Sequence, residues 1–281
     1  MSGTKRIGAS RRYLTRGPFA AALTALLFSL LPGLAPASGG SGFSVPILVY
    51  HKFSATASDS MTVSTQAFES ELDIMQRGGY RVIPLSRLTD AILNRTGLPP
   101  RSIVITADDG NESIYAEMVP RLKRYGFPAT LFIYPSAISN AKWAMTWQQL
   151  MELQNNGSFD IQSHTYWHPD FHKDKQRLSP SAYKDDVEWQ LRHSKQVLEQ
   201  KLGRKIDLLA WPFGICDEFL IGEARQAGYR AGFTIERRSV RPADNVFSLP
   251  RYIMTNAQQG RTFERFLEQA TAAPPMALSM Q

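Results

Sequence analysis

The sequence predicts an α/β fold in which six or seven strand and helix units surround a parallel sheet or barrel. Short apolar runs rich in β-branched and aromatic residues alternate with segments whose apolar residues recur at helical spacing. The chain has 281 residues, 43% hydrophobic and 20% charged, which suffices for the core of one large domain. Because neither a sequence repeat nor a long Pro/Gly linker divides the chain, we expect a single domain.

The predicted elements alternate along residues 46–270, which we assign to the domain. Strands are predicted at 46–50, 102–106, 129–134, 159–163, 207–211 and 231–235. Helices are predicted at 66–77, 113–125, 146–155, 182–201, 218–227 and 262–270. Residues 38–45 begin with a Gly/Ser stretch and are expected to form a flexible linker, and residues 271–281 a loose tail.

The first 37 residues have the pattern of a secretory signal peptide. Residues 1–17 are basic, residues 19–31 are mainly apolar, and an Ala-x-Ala pattern ends at Ala37, near which we expect cleavage. A transmembrane anchor is the alternative, but a span needs about 20 apolar residues and Pro32 and Gly33 interrupt the run. The pair Arg11 and Arg12 resembles a twin-arginine signal, so the export route stays open between it and the general secretory route. We expect an exported protein, periplasmic or extracellular, whose mature chain has no membrane span.

The charge balance argues against a nucleic-acid partner. The formal net charge is +7, but five of the 32 basic residues precede residue 37, which leaves 27 basic against 25 acidic residues. A nucleic-acid-binding surface needs a basic excess in the folded body. Cys216 is the only cysteine, which excludes an intramolecular disulfide and an all-cysteine metal site.

Two adjacent carboxylates end one predicted strand. The strand 102–106 runs into Ala107, Asp108, Asp109 and Gly110. Neighbouring carboxylates repel each other, and a divalent cation commonly offsets that repulsion, with one carboxylate as ligand and the other as base. A solvated Asp-Asp-Gly turn without chemistry is the alternative.

Two histidines follow another predicted strand. The strand 159–163 precedes His164 and His168, with Pro169 directly after them. Pro169, together with Thr165 where a helical zinc-protease motif has glutamate, argues against that motif. Unrelated histidines are the alternative, but two imidazoles and one carboxylate make a zinc-like site with an open position for water.

Three segments together resemble a known family. Residues 106–110 (TADDG), 163–169 (SHTYWHP) and 210–214 (AWPFG) are similar to the first three motifs of the polysaccharide deacetylases with a NodB-type domain, carbohydrate esterase family 4. The resemblance covers residues 46–251. It implies a distorted (β/α)7-type barrel and one NodB-like domain. The third motif and a later Leu-Pro-Arg segment resemble the branch of poly-β-1,6-N-acetylglucosamine deacetylases of biofilm matrices.

The resemblance also implies roles for individual residues. It implies that a divalent ion, with zinc as the expected one, polarises an acetamide carbonyl and acidifies water, while Asp108 is the general base. The implied metal ligands are Asp109, His164 and His168, and the implied oxyanion and substrate wall is Trp211, Pro212 and Phe213. Tyr166 and Trp167 are candidates, with Trp211, for an apolar floor under sugar rings, and core packing is the alternative.

Two departures from the family pattern raise questions about support and proton delivery. Ala210 stands where an arginine commonly supports the catalytic acid, and no histidine follows His193 to act as the general acid. We hypothesise that Arg251 takes the role of that arginine. His51, after the first strand, is a candidate to position Asp108 or protonate the amine, and a structural role is the alternative.

The expected activity is metal-dependent removal of N-acetyl groups from a polysaccharide of N-acetylglucosamine, either poly-β-1,6-linked or chitin- or peptidoglycan-like. Two alternatives stay open: an amidohydrolase acting on a small non-sugar amide, and an inactive glycan-binding module. His172, His193 and Cys216 are predicted to have no chemical role. The sequence leaves the oligomeric state open.

Overall fold

The computed structural model describes residues 42–272. The predicted signal peptide, residues 38–41 of the predicted linker and residues 273–281 of the predicted tail lie outside the described residues. Among the helices of this described part, none is long and apolar enough to cross a membrane.

A curled sheet of parallel strands forms a half-barrel at the centre of the fold. Seven strands follow the order β10-β1-β5-β6-β7-β8-β9, β4 pairs with β5, and β2 and β3 pair separately. The strands are β1 (Ile47–Tyr50), β2 (Lys52–Ser54), β3 (Thr62–Ser64), β4 (Arg81–Val82), β5 (Ser102–Asp108), β6 (Ala129–Ile133), β7 (Phe159–Ser163), β8 (Leu208–Ala210), β9 (Ala231–Phe233) and β10 (Tyr252–Ile253). The predicted α/β barrel-like class is confirmed.

Helices connect the strands, as parallel pairing requires. They are α1 (Thr65–Arg77), α2 (Leu85–Leu93), α3 (Val119–Tyr125), α4 (Trp147–Asn155), α5 (Phe171–Arg177), α6 (Pro180–Leu202), α7 (Glu218–Gln226) and α8 (Arg261–Thr271). Side-chain caps explain several of their starts. Ser64, Ser179 and Asp217 each accept a hydrogen bond from an amide of the first turn, and Thr146 forms a capping box with Gln149.

One short segment joins both ends of the curled sheet. Leu249 exchanges backbone hydrogen bonds with Gly232 and Thr234 at β9, and three residues later β10 pairs with β1. The side chain of Arg251, between these two contacts, is fully buried. The curl of the sheet therefore brings a residue near the end of the chain into the interior beside β5.

The core has an apolar layer on each side of the sheet strands. The larger cluster lies between the sheet and the helices, where Phe68, Leu72 and Met75 of α1 are fully buried. In the smaller cluster Phe132 of β6 packs against Phe233 of β9, with ring centroids 5.4 Å apart. Burial on both faces explains why the strands read as continuous apolar runs.

All six predicted strands and six predicted helices are present; β7 has the predicted ends, and each of the others has at least one shifted end. The strand predicted at 102–106 continues to Asp108, because Ala107 and Asp108 pair with Leu131 and Phe132 of β6. The helix predicted at 113–125 begins with a π-helical turn, Ile114–Met118. Strands β2, β3, β4 and β10 and helices α2 and α5 were not predicted, since most are too short to establish a period.

The predicted flexible linker is wrong over its last three residues. Phe43, Ser44 and Val45 are buried. Val45 exchanges two backbone hydrogen bonds with Val240, and the Ser44 hydroxyl donates to the carbonyl of Ala270 at 2.7 Å. These residues belong to the folded domain because they complete its core and its hydrogen bonding.

Candidate active site

The candidate site lies where β5, β7 and β8 end. Asp108 is the last residue of β5, His164 directly follows β7, and Trp211 directly follows β8. Neighbouring parallel strands place their carboxyl ends at one edge of the sheet, which is where sites form in barrel folds. The structure therefore brings together the three segments singled out in the sequence.

A buried ion pair joins Asp108 to Arg251. The two terminal guanidinium nitrogens of Arg251 donate to Oδ1 and Oδ2 of Asp108 at 2.8 and 2.7 Å, and its Nε donates to the carbonyl of Thr234 at 2.9 Å. Burial acts to raise the pKa of Asp108, but the charge and hydrogen bonds of Arg251, together with the nearby His164 and His51, outweigh it and the pKa falls to about 2. Asp108 is consequently a carboxylate at neutral pH.

Asp109, His164 and His168 converge on one point. Oδ1 of Asp109 lies 3.6 Å from Nε2 of His164 and 3.8 Å from Nε2 of His168. One ligand atom from each residue lies within 4.8 Å of the other two, so the trio could hold a single ion. One carboxylate and two imidazoles form a donor set that suits zinc and similar divalent ions.

The imidazole of His164 is held in the orientation that such a ligand needs. Its Nδ1 lies 2.8 Å from the carbonyl oxygen of Ala210. A carbonyl only accepts, so Nδ1 carries the proton and the lone pair of Nε2 faces the carboxylates. Burial lowers the pKa of His164 to about 3 and also lowers that of His168, which favours neutral, ligating rings.

The carboxylate of Asp109 needs a compensating charge. Burial raises its pKa to about 6, and the neighbouring charge of Asp108 acts in the same direction. Arg251 is already engaged by both oxygens of Asp108. A cation between Asp109 and the two histidines would offset this cost, so the residues present fit a divalent ion.

The backbone of the site is held in unusual conformations. Asp109, Thr165, His168 and Phe213 have φ values of 70°, 62°, 61° and 56°, in the left-handed region that non-glycine residues seldom adopt. Such conformations persist only where the surrounding structure enforces them. At Gly214, φ is 69° and an added Cβ would lie 2.5 Å from the Ile235 side chain, so glycine is required there.

A cavity of about 630 Å³ opens over these groups. Its lining includes His51, Asp108, Asp109, His164, His168, Trp211 and Phe213 from the predicted set. Trp211 is fully buried, and its indole N–H donates to the carbonyl of Phe247 at 2.9 Å. Phe213 is 56% exposed, and its ring meets His168 edge to face at 4.6 Å. Pro212 is buried and lies outside the cavity lining.

His51 is half-buried at the cavity wall. Its Nδ1 is buried and has no hydrogen-bond partner among the described residues. Such a buried polar atom is costly unless a ligand, an ion or water satisfies it. This environment is compatible with the auxiliary role considered for His51.

Tyr166 and Trp167 do not form the predicted floor of the site. They lie outside the cavity lining and pack instead against Trp189 of α6, at 4.9 and 4.8 Å between ring centroids. The cause is local. The amides of both residues donate to Oε1 of the buried Gln190 at 3.1 Å, which turns this part of the loop towards α6.

Sequence reasoning missed several residues of the cavity. Tyr134 directly follows β6. The expectation that site residues follow the carboxyl ends of the strands, which pointed to Asp108 and Asp109, would also have pointed to Tyr134. Its ring lies 5.5 Å from that of His168, and burial raises its pKa. Trp143, 43% exposed, comes from the loop before α4 and had no signal in the sequence. The other cavity residues that the sequence did not predict are Lys52, Met61, Asn111, Ile235 and Ile253.

Comparison with known proteins identifies the class. Residues 95–232 match the family of polysaccharide deacetylases, and the chain carries a polysaccharide deacetylase domain of the NodB type. The expected enzyme class, a hydrolase of the polysaccharide deacetylase type, is confirmed.

Similar proteins agree with this class. A Staphylococcus aureus poly-β-1,6-N-acetyl-D-glucosamine N-deacetylase is 23% identical over 212 residues, 74% of this chain and 73% of its own. Two solved structures share the fold. The Streptococcus pyogenes deacetylase PplD has a TM-score of 0.72 at 22% identity and covers 82% of this chain and 99% of its own. IcaB from Ammonifex degensii has a TM-score of 0.71 at 24% identity and covers 81% of this chain and 98% of its own.

Proposed function

We propose that this protein removes N-acetyl groups from an exported polysaccharide of N-acetylglucosamine, with poly-β-1,6-N-acetylglucosamine as the first candidate. The observation that carries the proposal is the convergence of Asp109, His164 and His168 beside an Asp108 held ionised by Arg251. The similarity to the S. aureus enzyme supports the choice of polysaccharide. The predicted signal peptide, cleaved near Ala37, supports export.

Asp109, His164 and His168 would hold the divalent ion, for which zinc is the proposed identity. When bound, such an ion supplies Lewis-acid polarisation of the amide carbonyl and makes water more acidic. The hydrogen bond from His164 to Ala210 keeps this ligand oriented, and second contacts of this kind strengthen metal affinity.

Asp108 is the proposed general base. Its two oxygens are each engaged by Arg251, but a carboxylate oxygen has a further acceptor site that can take a proton from the attacking water. Arg251 keeps Asp108 ionised and fixes its orientation. It is thus the proposed replacement for the arginine that is absent at Ala210.

His51 is the proposed proton donor to the leaving amine. It lies at the wall of the same cavity as Asp108, and one of its ring nitrogens has no protein partner among the residues described. A base and an acid both facing one cavity can serve the two proton transfers that amide hydrolysis requires. Neither of the two later histidines lines the cavity: His172 is on α5, and His193 packs against Tyr166 and Trp189.

Phe213 and Trp211 form the proposed wall for the acetamide and its sugar. The left-handed backbone at Phe213 directs the turn after β8 into the cavity, and we propose that its N–H faces the developing oxyanion. One such donor contributes about 2.7 to 4 kcal/mol in other enzymes. The exposed faces of Phe213 and Trp143 offer apolar surface for sugar rings.

The test is acetate release by the purified protein from poly-β-1,6-N-acetylglucosamine and from chitin oligomers. We expect release with zinc, loss with a chelator, and loss in Asp109→Ala. The control is Asp90→Ala, which removes an exposed carboxylate of α2 and should retain activity. Stoichiometric metal without acetate release from either glycan would overturn the proposal in favour of a different amide or a binding role.

A further inference from the structure

A group of aromatic side chains outside the cavity forms a continuous surface, which we call the aromatic patch: Tyr166, Trp167, Trp189 and His193. The rings of Trp167 and Trp189 lie 4.8 Å apart, and Trp189 stacks on His193 at 4.6 Å with an interplanar angle of 27°. Tyr166 contacts both Trp189 and His193.

The patch exposes more apolar surface than packing requires. Trp167 is 47% exposed and Trp189 is 40% exposed, although they touch each other. Single exposed apolar residues are ordinary, whereas adjoining exposed aromatic rings mark interaction surfaces. The cavity has exposed aromatic rings of its own, Trp143 and Phe213. The patch thus repeats, at a second place, the kind of surface proposed there for sugars.

Carboxylates border the patch on α6. A depression of about 380 Å³ beside Trp189 is lined by Asp185, Glu188, Arg192, His193 and Gln196. Asp185 precedes Trp189 by one helical turn, so the two side chains lie on the same face of the helix. With two carboxylates and one guanidinium, this depression has a net negative charge beside the exposed indole of Trp189.

The patch is attached to the loop that carries the two histidine ligands. Trp167 lies between His164 and His168, and Gln190 of α6 accepts hydrogen bonds from the amides of Tyr166 and Trp167. Ser194 of α6 donates to the carbonyl of Thr165 at 2.8 Å. Helix α6 therefore exposes Trp189 to solvent and, through Gln190 and Ser194, binds the backbone of the loop that carries the two histidines.

We infer that the aromatic patch is a second binding surface for the polysaccharide, taking glucosamine units that have already lost their acetyl groups. This inference rests on the proposed function, because deacetylation converts a neutral acetamide into an ammonium. An aromatic face attracts both the C–H face of a sugar and a nearby cation, and Asp185 and Glu188 provide charge complementarity for the ammonium. The patch would retain the processed part of a long chain while the cavity acts on other units.

Binding is measured with chelator present, so that the result does not depend on turnover. The full chain is titrated by calorimetry with glucosamine oligomers and, separately, with N-acetylglucosamine oligomers. We expect Trp189→Ala to weaken binding of glucosamine oligomers about 10-fold, the loss of about 1.4 kcal/mol. Asp185→Asn combined with Glu188→Gln should remove the preference for glucosamine. Leu93→Ala, which removes an exposed apolar side chain on α2, should change nothing.

A kinetic measurement separates this role from a structural one. With metal, Trp189→Ala should raise KM for a long, partly deacetylated polymer and leave kcat, and all turnover of a trimer, unchanged. Equal affinity of the parent chain and Trp189→Ala for glucosamine oligomers would overturn the inference. So would equal loss of turnover on trimer and polymer. Absence of acetate release from every glycan, with oligomer binding still dependent on Trp189, would overturn only the proposed function.

Discussion

Arg251 gives Asp108 a guanidinium partner, which Ala210 in the third motif cannot provide. Ala210, at the end of β8, contributes only its carbonyl, to His164, while a guanidinium 143 residues away from Asp108 in the chain takes up both oxygens of that carboxylate. The pair is fully buried, so each charge depends on the other for its solvation. The ionisation of Asp108 thus depends on a distant part of the chain.

Replacing Arg251 should therefore affect both stability and catalysis. We expect Arg251→Ala to lower the free energy of unfolding by about 3 to 5 kcal/mol, because a buried carboxylate is left unpaired. The pKa of Asp108 should rise, and the acidic limb of the dependence of kcat/KM on pH should move to higher pH. Urea denaturation and the dependence of kcat/KM on pH measure the two effects.

Arg238→Ala is the matched control. Arg238 also binds both oxygens of one carboxylate, that of Asp244, at 2.9 and 2.8 Å, but its side chain is 40% exposed. Because this pair is only partly buried, its loss should cost much less than the loss of the fully buried pair, so both measurements should change less than in Arg251→Ala. Unchanged turnover in a folded Arg251→Ala protein would contradict the role assigned to Arg251.

His51 is the second residue whose role can be tested alone. We expect His51→Gln to lower kcat by a factor of about 10² to 10⁴, the usual range for one acid or base, with metal content unchanged. His172→Gln, an exposed histidine on α5, is the control. Metal analysis beside steady-state kinetics distinguishes proton transfer from ligand loss, and an unaltered kcat would leave His51 a structural residue.

At the scale of elements, helix α1 carries a buried acid into its contact with β1. Glu71 is fully buried, and its Oε2 accepts a hydrogen bond from the Tyr50 hydroxyl at 2.6 Å. Burial raises the pKa of Glu71 to about 8, against an ordinary value of 4.5. The folded protein therefore keeps this carboxyl protonated over a range in which the unfolded chain has lost the proton.

This difference predicts a stability that falls as the pH rises. Between pH 5 and 8 the unfolded chain binds fewer protons at this site than the folded protein, so the Glu71 contribution declines by about 1.4 kcal/mol per pH unit. Glu71→Gln, which resembles the protonated side chain, should remove that contribution. Denaturation by urea at pH 5 and pH 8 measures it. Glu268→Gln, an exposed acid of α8, should keep the parent's pH dependence, and an identical slope in Glu71→Gln would refute the assignment.

At the scale of the whole molecule, the domain begins earlier than the composition suggests. Gly and Ser are frequent before Phe43, yet Phe43 and Val45 are in the core and Ser44 is hydrogen-bonded to Ala270 beside the end of α8. The first strand is thereby tied to the last helix and to the segment around Val240. Local composition failed here because burial depends on what the rest of the chain places nearby.

A pair of truncations tests this boundary. A chain that starts at Pro46 should melt roughly 10 °C below one that starts at Ser38, because it lacks the burial of Phe43 and Val45 and the pairing with Val240. Thermal unfolding followed by circular dichroism gives both values. A chain that starts at Gly42 is the control and should match the longer one. Equal melting temperatures for the Pro46 and Ser38 chains would show that the segment contributes nothing.

The sequence alone determined which strand ends meet at the candidate site. Asp108 and Asp109 adjoin β5 and His164 adjoins β7, and parallel strands place these ends together whatever the remaining details of the fold. The same reasoning could have reached Tyr134. It could not reach Trp143, which lies in an irregular loop.

Only the tertiary structure decided which distant groups meet. Arg251 reaches Asp108 because the sheet curls until residues 249–253 contact both β9 and β1. Tyr166 and Trp167 face α6 and not the cavity because their amides donate hydrogen bonds to Gln190. The residues on either side of them, Thr165 and His168, have left-handed backbone conformations. Both outcomes depend on contacts between segments far apart in the chain, for which local pattern contains no signal.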